Sequence, residues 1–253
     1  MIVGVSSPEF SSYNFDDVIP EIDRFFDHWE IFSEAEHQLQ YVAPRLALMK
    51  DSFNLTYSVH APIADTNLAA LSERMREASV MEMLNLMEQA INLDIDTITL
   101  HPGTYSLSVP GMQEKSIAAA KKSIRGLDRM VGQYGIKMCL ENMPSWPMML
   151  GQTADEMLEL VDGTDMPVCF DIGHANTVGQ IDEIIDKLGD RIRNIHVHDN
   201  DGTADQHLTI GDGNIDFQKH LSRLNGYKGR YIIESRSLES AVSSKDIFSK
   251  FEF

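Results

Sequence analysis

Cysteine is scarce in this sequence. Its 253 residues contain two cysteines, Cys139 and Cys169. Two cysteines cannot form a disulfide framework, and their wide separation does not match the spacing of a metal knuckle. We therefore interpret both side chains as buried filler of a hydrophobic core rather than as reactive thiols.

Basic residues are also few. The chain has 21 Lys and Arg against 39 Asp and Glu, which gives a formal net charge of −18. Because proteins bind nucleic acid largely through Lys and Arg that displace counterions from phosphates, this balance makes nucleic acid an unexpected partner. A local basic patch could still provide such binding, so the position of the charges matters more than their sum.

Long apolar runs are absent as well. No apolar segment reaches the roughly 18 residues of a membrane span, and no membrane partner is expected. The first residues, MIVGV, resemble a strand and lack the basic start and apolar run of a signal peptide. We expect a cytoplasmic protein. No pattern in the sequence indicates an oligomeric state.

Short apolar or β-branched runs alternate with longer amphipathic stretches throughout the chain. The short runs predict eight strands: MIVGV at 1, WEIF at 29, TYSV at 56, TITL at 97, KMCL at 137, VCF at 168, NIHV at 194 and RYIIE at 230. The amphipathic stretches predict helices over 15–27, 39–51, 71–93, 113–134, 154–161, 181–189, 217–224 and 238–251. Asn14, Thr153 and Asp216 are predicted N-caps, whereas Pro20 and Pro44 count against two of the helices.

Eight β/α units in about 250 residues are typical of a (β/α)8 TIM barrel. A doubly wound sheet uses the same units and is the alternative fold. The barrel is favoured because of where the polar residues fall, and we expect one domain over residues 1–253. Six successive strands end on, or are followed by, a metal-competent side chain: His60, His101, Glu141, Asp171, His196 and Glu234.

In a parallel barrel these six positions converge at the carboxyl ends of the strands. A single His or Asp at a strand end is usually structural, but six in register predict a shared site. Without a cation the three carboxylates would repel each other and raise their pKa values. His with Asp and Glu is a common ligand mixture for zinc, manganese, cobalt or iron, so we expect a bound divalent ion.

The stretch from Asn194 to Asn214, NIHVHDNDGTADQHLTIGDGN, adds further ligand-type residues and no Lys or Arg. By strand alternation His198 points inward like His196, where it could orient a ligand or touch substrate. Residues two positions before each strand-end candidate are mostly small, as expected beneath a crowded polar floor.

Seven motifs together resemble those of the xylose isomerase-like TIM barrel superfamily, which includes sugar isomerases, epimerases and endonuclease IV-type AP endonucleases. They are S-V-H-A-P at His60, L-H-P-G at His101, L-E-N at Glu141, F-D-I-G-H-A at Asp171 and His174, I-H-V-H-D-N at His196, D-Q-H-L-x-x-G-D-G-N-I at Asp205 and His207, and I-I-E-S at Glu234. The resemblance covers nearly the whole chain.

The resemblance implies two different metal sets. In endonuclease IV relatives nine residues hold three zinc ions, and by motif they fall on His60, His101, Glu141, Asp171, His174, His196, Asp205, His207 and Glu234. In the isomerase and epimerase branch, one divalent metal is usually held by the counterparts of Glu141, Asp171, His196 and Glu234, and the two glutamates also transfer protons.

Local departures favour the isomerase branch. Endonuclease IV motifs resemble E-N-T-A-G, D-T-C-H and N-D-S-K, where this chain has ENMPSWPMMLGQ, DIGH and HVHDND. The predicted loops of the active face contain almost no basic residue, and Arg236 is the basic residue nearest a candidate ligand. Trp146, followed by Met148, Met149 and Leu150, offers an apolar wall that could pack against substrate or simply be a half-buried loop.

The favoured function is therefore a metal-dependent sugar or sugar phosphate isomerase or epimerase, with Glu141 and Glu234 as catalytic residues. His198, Trp146 and Arg236 are candidate substrate-binding residues. The alternative is a zinc-dependent AP endonuclease that hydrolyses phosphodiester bonds at abasic DNA sites. A barrel that binds a ligand or metal without catalysis is a third hypothesis, although such a protein would not need two opposed glutamates.

Overall fold

Eight parallel strands close into a barrel in chain order in the computed structural model, which describes residues 2–224 and 226–253. β1 pairs with β8, and this pairing closes the barrel. The strands are β1 Ile2–Ser6, β2 His28–Phe32, β3 Thr56–His60, β4 Thr97–Leu100, β5 Lys137–Glu141, β6 Val168–Asp171, β7 Ile192–Val197 and β8 Arg230–Glu234. The predicted TIM barrel is confirmed and the doubly wound alternative is wrong. Met1, at the start of the first predicted strand, lies outside the described residues.

Helices follow the strands and cover the outside of the barrel. Those of the described residues are α1 Phe15–Asp23, α2 Leu39–Met49, α3 Glu73–Asn92, α4 Met112–Val131, α5 Ala154–Val161, α6 Ile172–Thr177, α7 Ile181–Leu188, α8 Phe217–Leu221 and α9 Leu238–Phe248. The short helix α6 was not predicted, because six residues do not display a helical period. None of the described helices has the length and apolar composition needed to cross a membrane.

Local sequence explains where several helices begin and why two tolerate proline. The side chains of Asn14, Thr153 and Asp216 each accept a backbone hydrogen bond in the first helical turn, so all three predicted N-caps are confirmed. Pro20 and Pro44 lie inside α1 and α2. Both prolines are exposed, so water can satisfy the carbonyl that each leaves without a donor.

The strands separate two environments. In β2, Trp29 and Ile31 belong to the apolar core between strands and helices, whereas Glu30 points into the barrel and contacts β7. The inside of the barrel carries polar side chains at the carboxyl end of the strands. Asp171 is in register with His196, and Glu141 is in register with Cys169. Asp171 and His196 therefore lie side by side, and Glu141 lies beside the residue two positions before Asp171.

Candidate metal centre

The first cluster consists of the strand-end residues of β5 to β8. Ligand atoms of Glu141, Asp171, His196 and Glu234 all lie within 4.8 Å of one another. His196 Nδ1 is 3.1 Å from Glu141 Oε1 and 3.1 Å from Glu234 Oε1. It is 3.9 Å from Asp171 Oδ2. Ligand atoms that share one ion at about 2.0–2.2 Å lie about 3 to 3.5 Å apart, so these distances suit a divalent ion.

A second cluster adjoins the first through Glu141. His60 Nε2 lies 3.3 Å and His101 Nε2 lies 3.0 Å from Glu141 Oε2. The other carboxylate oxygen, Oε1, faces His196. Glu141 therefore has one oxygen in each cluster.

The third cluster combines α6, β7 and the loop that follows β7. Ligand atoms of His174, His198, Asp205 and His207 lie within 4.8 Å of one another. Asp205 Oδ2 is 3.5 Å from His174 Nε2, and Asp205 Oδ1 is 3.2 Å from His207 Nε2 and 3.5 Å from His198 Nε2. The predicted inward direction of His198 agrees with this position.

Several of these atoms are buried without a hydrogen-bond partner among the described residues. They are Asp171 Oδ2, Asp205 Oδ1 and both ring nitrogens of His198. Buried polar atoms are nearly always satisfied in folded proteins, so each unsatisfied one indicates a missing partner. Carboxylate oxygens and imidazole nitrogens aimed at shared centres fit a divalent metal.

Local hydrogen bonds build the third cluster from the sequence. Asp171 caps α6, its Oδ1 accepting from His174 N at 2.6 Å, so the motif D-I-G-H places His174 one turn beyond Asp171. A Cβ on Gly173 would lie 2.1 Å from His198 Cε1, so glycine alone fits there. The buried Asp199 carboxylate accepts from four backbone N–H groups, those of Asn200, Gly211, Gly213 and Ile215. These bonds shape the loop that carries Asp205 and His207.

Backbone carbonyls orient two of the imidazoles. His60 Nδ1 lies 2.8 Å from Ala61 O, and His174 Nδ1 lies 2.9 Å from Asn142 O. A carbonyl oxygen only accepts, so each Nδ1 carries the proton and each Nε2 is left free to bind a ligand. The ring orientation needed for metal binding is therefore present in the protein itself.

The electrostatics of the first cluster correct one expectation. Burial raises the pKa of Glu141, but His196, His101 and His60 outweigh it and hold this pKa well below its ordinary value. The pKa values of Asp171 and Glu234 are also lowered, since neighbouring imidazoles offset the effect of burial. The predicted upward shift of the carboxylate pKa values is wrong, because the interleaved histidines provide the positive charge. Protons and a metal ion would therefore compete for this cluster.

Both cysteines lie beneath the site and are fully buried. Cys169 has its sulfur within 4.8 Å of the ligand atoms of Glu141 and His196. Burial raises the pKa of the Cys169 thiol well above its ordinary value. Full burial and a raised pKa are typical of an unreactive thiol, which agrees with the interpretation of Cys169 as filler.

Glu30 is the site-adjacent residue that the sequence interpretation missed. It is fully buried in β2, and its Oε1 lies 2.8 Å from His196 Nε2. The signal was present, because an acidic residue between Trp29 and Ile31 interrupts an otherwise apolar strand. The strand was predicted, but its internal charge was not interpreted.

The predicted substrate-binding residues occupy different environments. His198 is fully buried, and Trp146 is 51% exposed at the mouth of the barrel. Met148 is exposed beside it, whereas Leu150 is fully buried, so only part of the predicted apolar wall faces solvent. Arg236 is exposed, and its Nε donates to Gln206 O at 3.3 Å. Among the loops that lead from each strand to the next helix, all of them described, Arg236 is the one basic residue.

Fold and cluster geometry agree with a comparison against protein families. Residues 25–248 match the family described as xylose isomerase-like TIM barrel, and the chain belongs to this family. An uncharacterized protein of Methanocaldococcus jannaschii is 35% identical over 268 residues, which cover 99% of this chain and 89% of that protein.

Two further relatives represent different branches of the family. The crystal structure of a D-tagatose 3-epimerase-like protein superposes with a TM-score of 0.92 at 34% identity, covering 99% of this chain and 96% of the other. A probable endonuclease 4 of Thermoplasma volcanium is 28% identical over 165 residues, covering 59% of this chain and 56% of that protein. The family therefore contains proteins named for epimerase and for endonuclease activity, and the predicted resemblance to it is confirmed.

Proposed function

We propose that this protein is a divalent-metal-dependent isomerase or epimerase of small sugars. The observation that carries the proposal is the pair of glutamates at the first cluster. Glu141 from β5 and Glu234 from β8 approach His196 Nδ1 from different strands, each with an oxygen at 3.1 Å. Two carboxylates at one centre suit a reaction that removes a proton and returns one.

Glu141, Asp171, His196 and Glu234 would hold the cation, and their mixed nitrogen and oxygen donors suit zinc, manganese or cobalt. A bound divalent ion supplies Lewis-acid polarisation of a substrate carbonyl. Three further imidazoles would either bind substrate hydroxyls or hold further ions. Backbone carbonyls orient His60 and His174, and His101 faces Glu141.

The two glutamates would perform the proton transfer. One carboxylate takes the proton from the C–H group next to the substrate carbonyl, and the electron pair of that bond leaves negative charge on the carbonyl oxygen. The other glutamate, which must be protonated at the start of the turnover, would deliver its proton to the opposite face of that carbon and restore a C–H bond of inverted configuration. Proton exchange with water then returns both carboxyl groups to their starting states. In isomerisation the proton returns instead to the former carbonyl carbon, and the hydroxyl proton of the neighbouring carbon passes to the former carbonyl oxygen.

The charge around the mouth favours an uncharged substrate. The strand-to-helix loops contain one basic residue, Arg236, and several acidic residues. A phosphate dianion is normally met by several cations or by a helix N-terminus, and it would be repelled here by the net charge of −18. A free sugar is therefore favoured over a sugar phosphate. Trp146 and His198 are the candidate residues for contact with such a substrate.

Exchange of solvent deuterium into substrate tests this function. A panel of ketohexoses is incubated with zinc- or manganese-loaded protein in D2O, and incorporation next to the carbonyl is followed by NMR. Glu141→Gln and Glu234→Gln should each abolish exchange while leaving most of the metal in place. Glu88→Gln, an exposed glutamate on α3, is the matched control and should exchange normally. Retained exchange in both cluster variants would reject the assignment.

A second candidate, phosphodiester hydrolysis at abasic DNA sites, is favoured by the third cluster. His174, Asp205 and His207 complete the nine-residue set that the resemblance to endonuclease IV implies, and their ligand atoms are close together. The absence of Lys from the described strand-to-helix loops counts against a DNA footprint. Incubation of an abasic-site duplex with the zinc-loaded protein at low salt decides between the two, since strand incision would favour the nuclease.

A further inference from the structure

Glu30 lies inside the barrel, one layer below the first cluster. Its exposed fraction is 0%, although it carries a carboxylate. Its chain neighbours Trp29 and Ile31 face the opposite way, into the apolar core. Burial of a carboxylate is strongly unfavourable unless the group is paired and hydrogen-bonded. The contacts of Glu30 therefore indicate what this buried charge does.

Both carboxylate oxygens of Glu30 have defined partners. Oε2 accepts from Ser58 Oγ at 2.9 Å and from Asn194 Nδ2 at 2.9 Å. Oε1 lies 2.8 Å from His196 Nε2. Ser58 Oγ is in turn 2.9 Å from His28 Nε2, so the network extends further down the barrel. The carboxylate is held in one orientation, with Oε1 beneath the imidazole of His196.

This contact fixes which nitrogen of His196 faces the cluster. A carboxylate oxygen only accepts hydrogen bonds, so His196 Nε2 must donate its proton to Glu30. The other ring nitrogen, Nδ1, is then the one directed between Glu141 and Glu234, at 3.1 Å from an oxygen of each. Nδ1 is thus the nitrogen available to a metal ion.

His196 differs in this respect from two other imidazoles of the site. His60 and His174 are oriented by the backbone carbonyls of Ala61 and Asn142, which are neutral acceptors. A neutral carbonyl is enough to orient a ring, so orientation alone does not require a buried anion. An anionic acceptor has a second effect, because it increases the electron density on the opposite nitrogen and strengthens that nitrogen as a ligand.

We propose that Glu30 is a positioning residue of the metal centre, which holds His196 with Nδ1 toward the cation and strengthens Nδ1 as a donor. The inference rests on the metal centre of the proposed function, but it does not depend on which sugar is turned over. It assigns a role in metal binding to a strand, β2, that contributes no ligand to the first cluster.

Glu30→Gln tests this role because it keeps the side-chain volume and removes the negative charge. We expect zinc affinity, measured by competition with a chromophoric chelator, to fall by about 10- to 100-fold. The visible absorption of the cobalt-loaded protein should change as well, since the His196 donor is weakened. Cys139→Ser is the control: it changes a buried residue whose side chain donates to Lys137 O rather than to Glu30 or His196, and its affinity and spectrum should match the wild type.

A magnetic resonance measurement separates positioning from a merely structural role. In zinc-loaded wild-type protein, the buried Nε2–H of His196 should give a slowly exchanging imidazole proton signal. That signal should shift or disappear in Glu30→Gln, whereas the Nδ1–H signals of His60 and His174 should persist.

The outcomes are distinguishable. A folded Glu30→Gln with wild-type zinc affinity and an unchanged cobalt spectrum would overturn the role of Glu30 and leave the proposed function standing. Failure of the wild-type protein to bind zinc, manganese or cobalt would overturn both. If Glu30→Gln does not fold, Glu30→Asp provides the same comparison, because its shorter carboxylate retains the charge but is withdrawn from Nε2; unchanged affinity there would also count against the proposal.

Discussion

His198 and His207 stack face to face, with ring centroids 4.0 Å apart and an interplanar angle of 11°. His207 has a φ of 50°, in the left-handed region that is unfavourable for a residue with a side chain. Such backbone strain persists only where surrounding contacts hold it, and it is concentrated at functional sites. The stacked ring of His198 is one of these contacts, so it both joins the third cluster and supports His207.

The third cluster should therefore bind an ion that depends on His198. We expect zinc titration to give one class of site at the first cluster and another that requires His198. In His198→Asn the second class should be lost or weakened by at least about tenfold, because a ligand and the support of His207 are both removed. Elemental analysis of gently purified wild-type and variant protein provides the check, and equal metal content in the two would contradict the prediction.

Asp171→Asn should weaken metal binding without unfolding α6. Asparagine retains an oxygen that can accept from His174 N, so the N-cap of the helix is preserved. The variant loses the negative charge at the first cluster, and we expect zinc affinity to fall by roughly tenfold or more. Chelator competition measures the affinity, while the thermal midpoint of the metal-free protein should change little.

The stability of the metal-free protein should fall in mild acid partly because of His28. Burial, reinforced by Arg230, lowers the pKa of His28 to about 3, despite the opposing influence of Glu30 and Asp96. In the unfolded chain the pKa is 6.5, so between these values the unfolded state binds a proton that the folded state does not. The free energy of unfolding therefore decreases as the pH falls through this window, by up to about 1.4 kcal/mol per pH unit.

Urea unfolding of His28→Gln isolates this contribution. At about pH 7 the wild-type protein should be the more stable, since His28 contacts Thr56 and Ser58. The difference should narrow at about pH 5, because the variant lacks the titrating group. A constant difference across this range would show that His28 does not contribute to the acid sensitivity.

Thr153→Ala should destabilise the protein by about 1 kcal/mol through loss of the α5 N-cap. Thr153 Oγ1 accepts from Glu156 N at 3.2 Å. Thr153→Ser keeps the hydroxyl and should remain close to wild type in the same denaturant titration. Equal losses in the two variants would instead indicate a packing role for the methyl group.

Trp146→Ala should raise KM for the substrate by up to about tenfold and leave metal affinity unchanged. The side chain is half exposed at the mouth of the barrel and belongs to none of the three clusters, so its removal should affect mainly substrate packing. A single aromatic contact contributes about 0.5–1.5 kcal/mol, which sets this limit. Tyr134→Ala, an exposed aromatic residue beyond the end of α4, is the control and should not change KM.

The barrel and the location of its site follow from periodicity and from residues at strand ends. Those signals are local, and the closed parallel sheet then forces the ends of β3 to β8 together. What the sequence could not provide is pairing at a distance. Glu30 of β2 meets His196 of β7 across the barrel, and this contact depends on the closed fold. The pKa directions were wrong for the same reason, because they depend on which histidine lies beside which carboxylate.

The close approach of Gly173 to His198 provides a criterion for sorting related sequences into branches. A side chain at 173 would overlap the imidazole at 198, so residue 173 can change only if residue 198 becomes smaller as well. The endonuclease IV motif D-T-C-H corresponds to D-I-G-H here and has cysteine in place of Gly173. When the aspartate of the motif N-D-S-K is aligned with Asp199, that motif has asparagine in place of His198. Relatives with glycine and histidine at positions 173 and 198 are thus expected to have the four-residue third cluster of this protein. Relatives with cysteine and asparagine at these positions are expected to keep a coordination position open in that cluster.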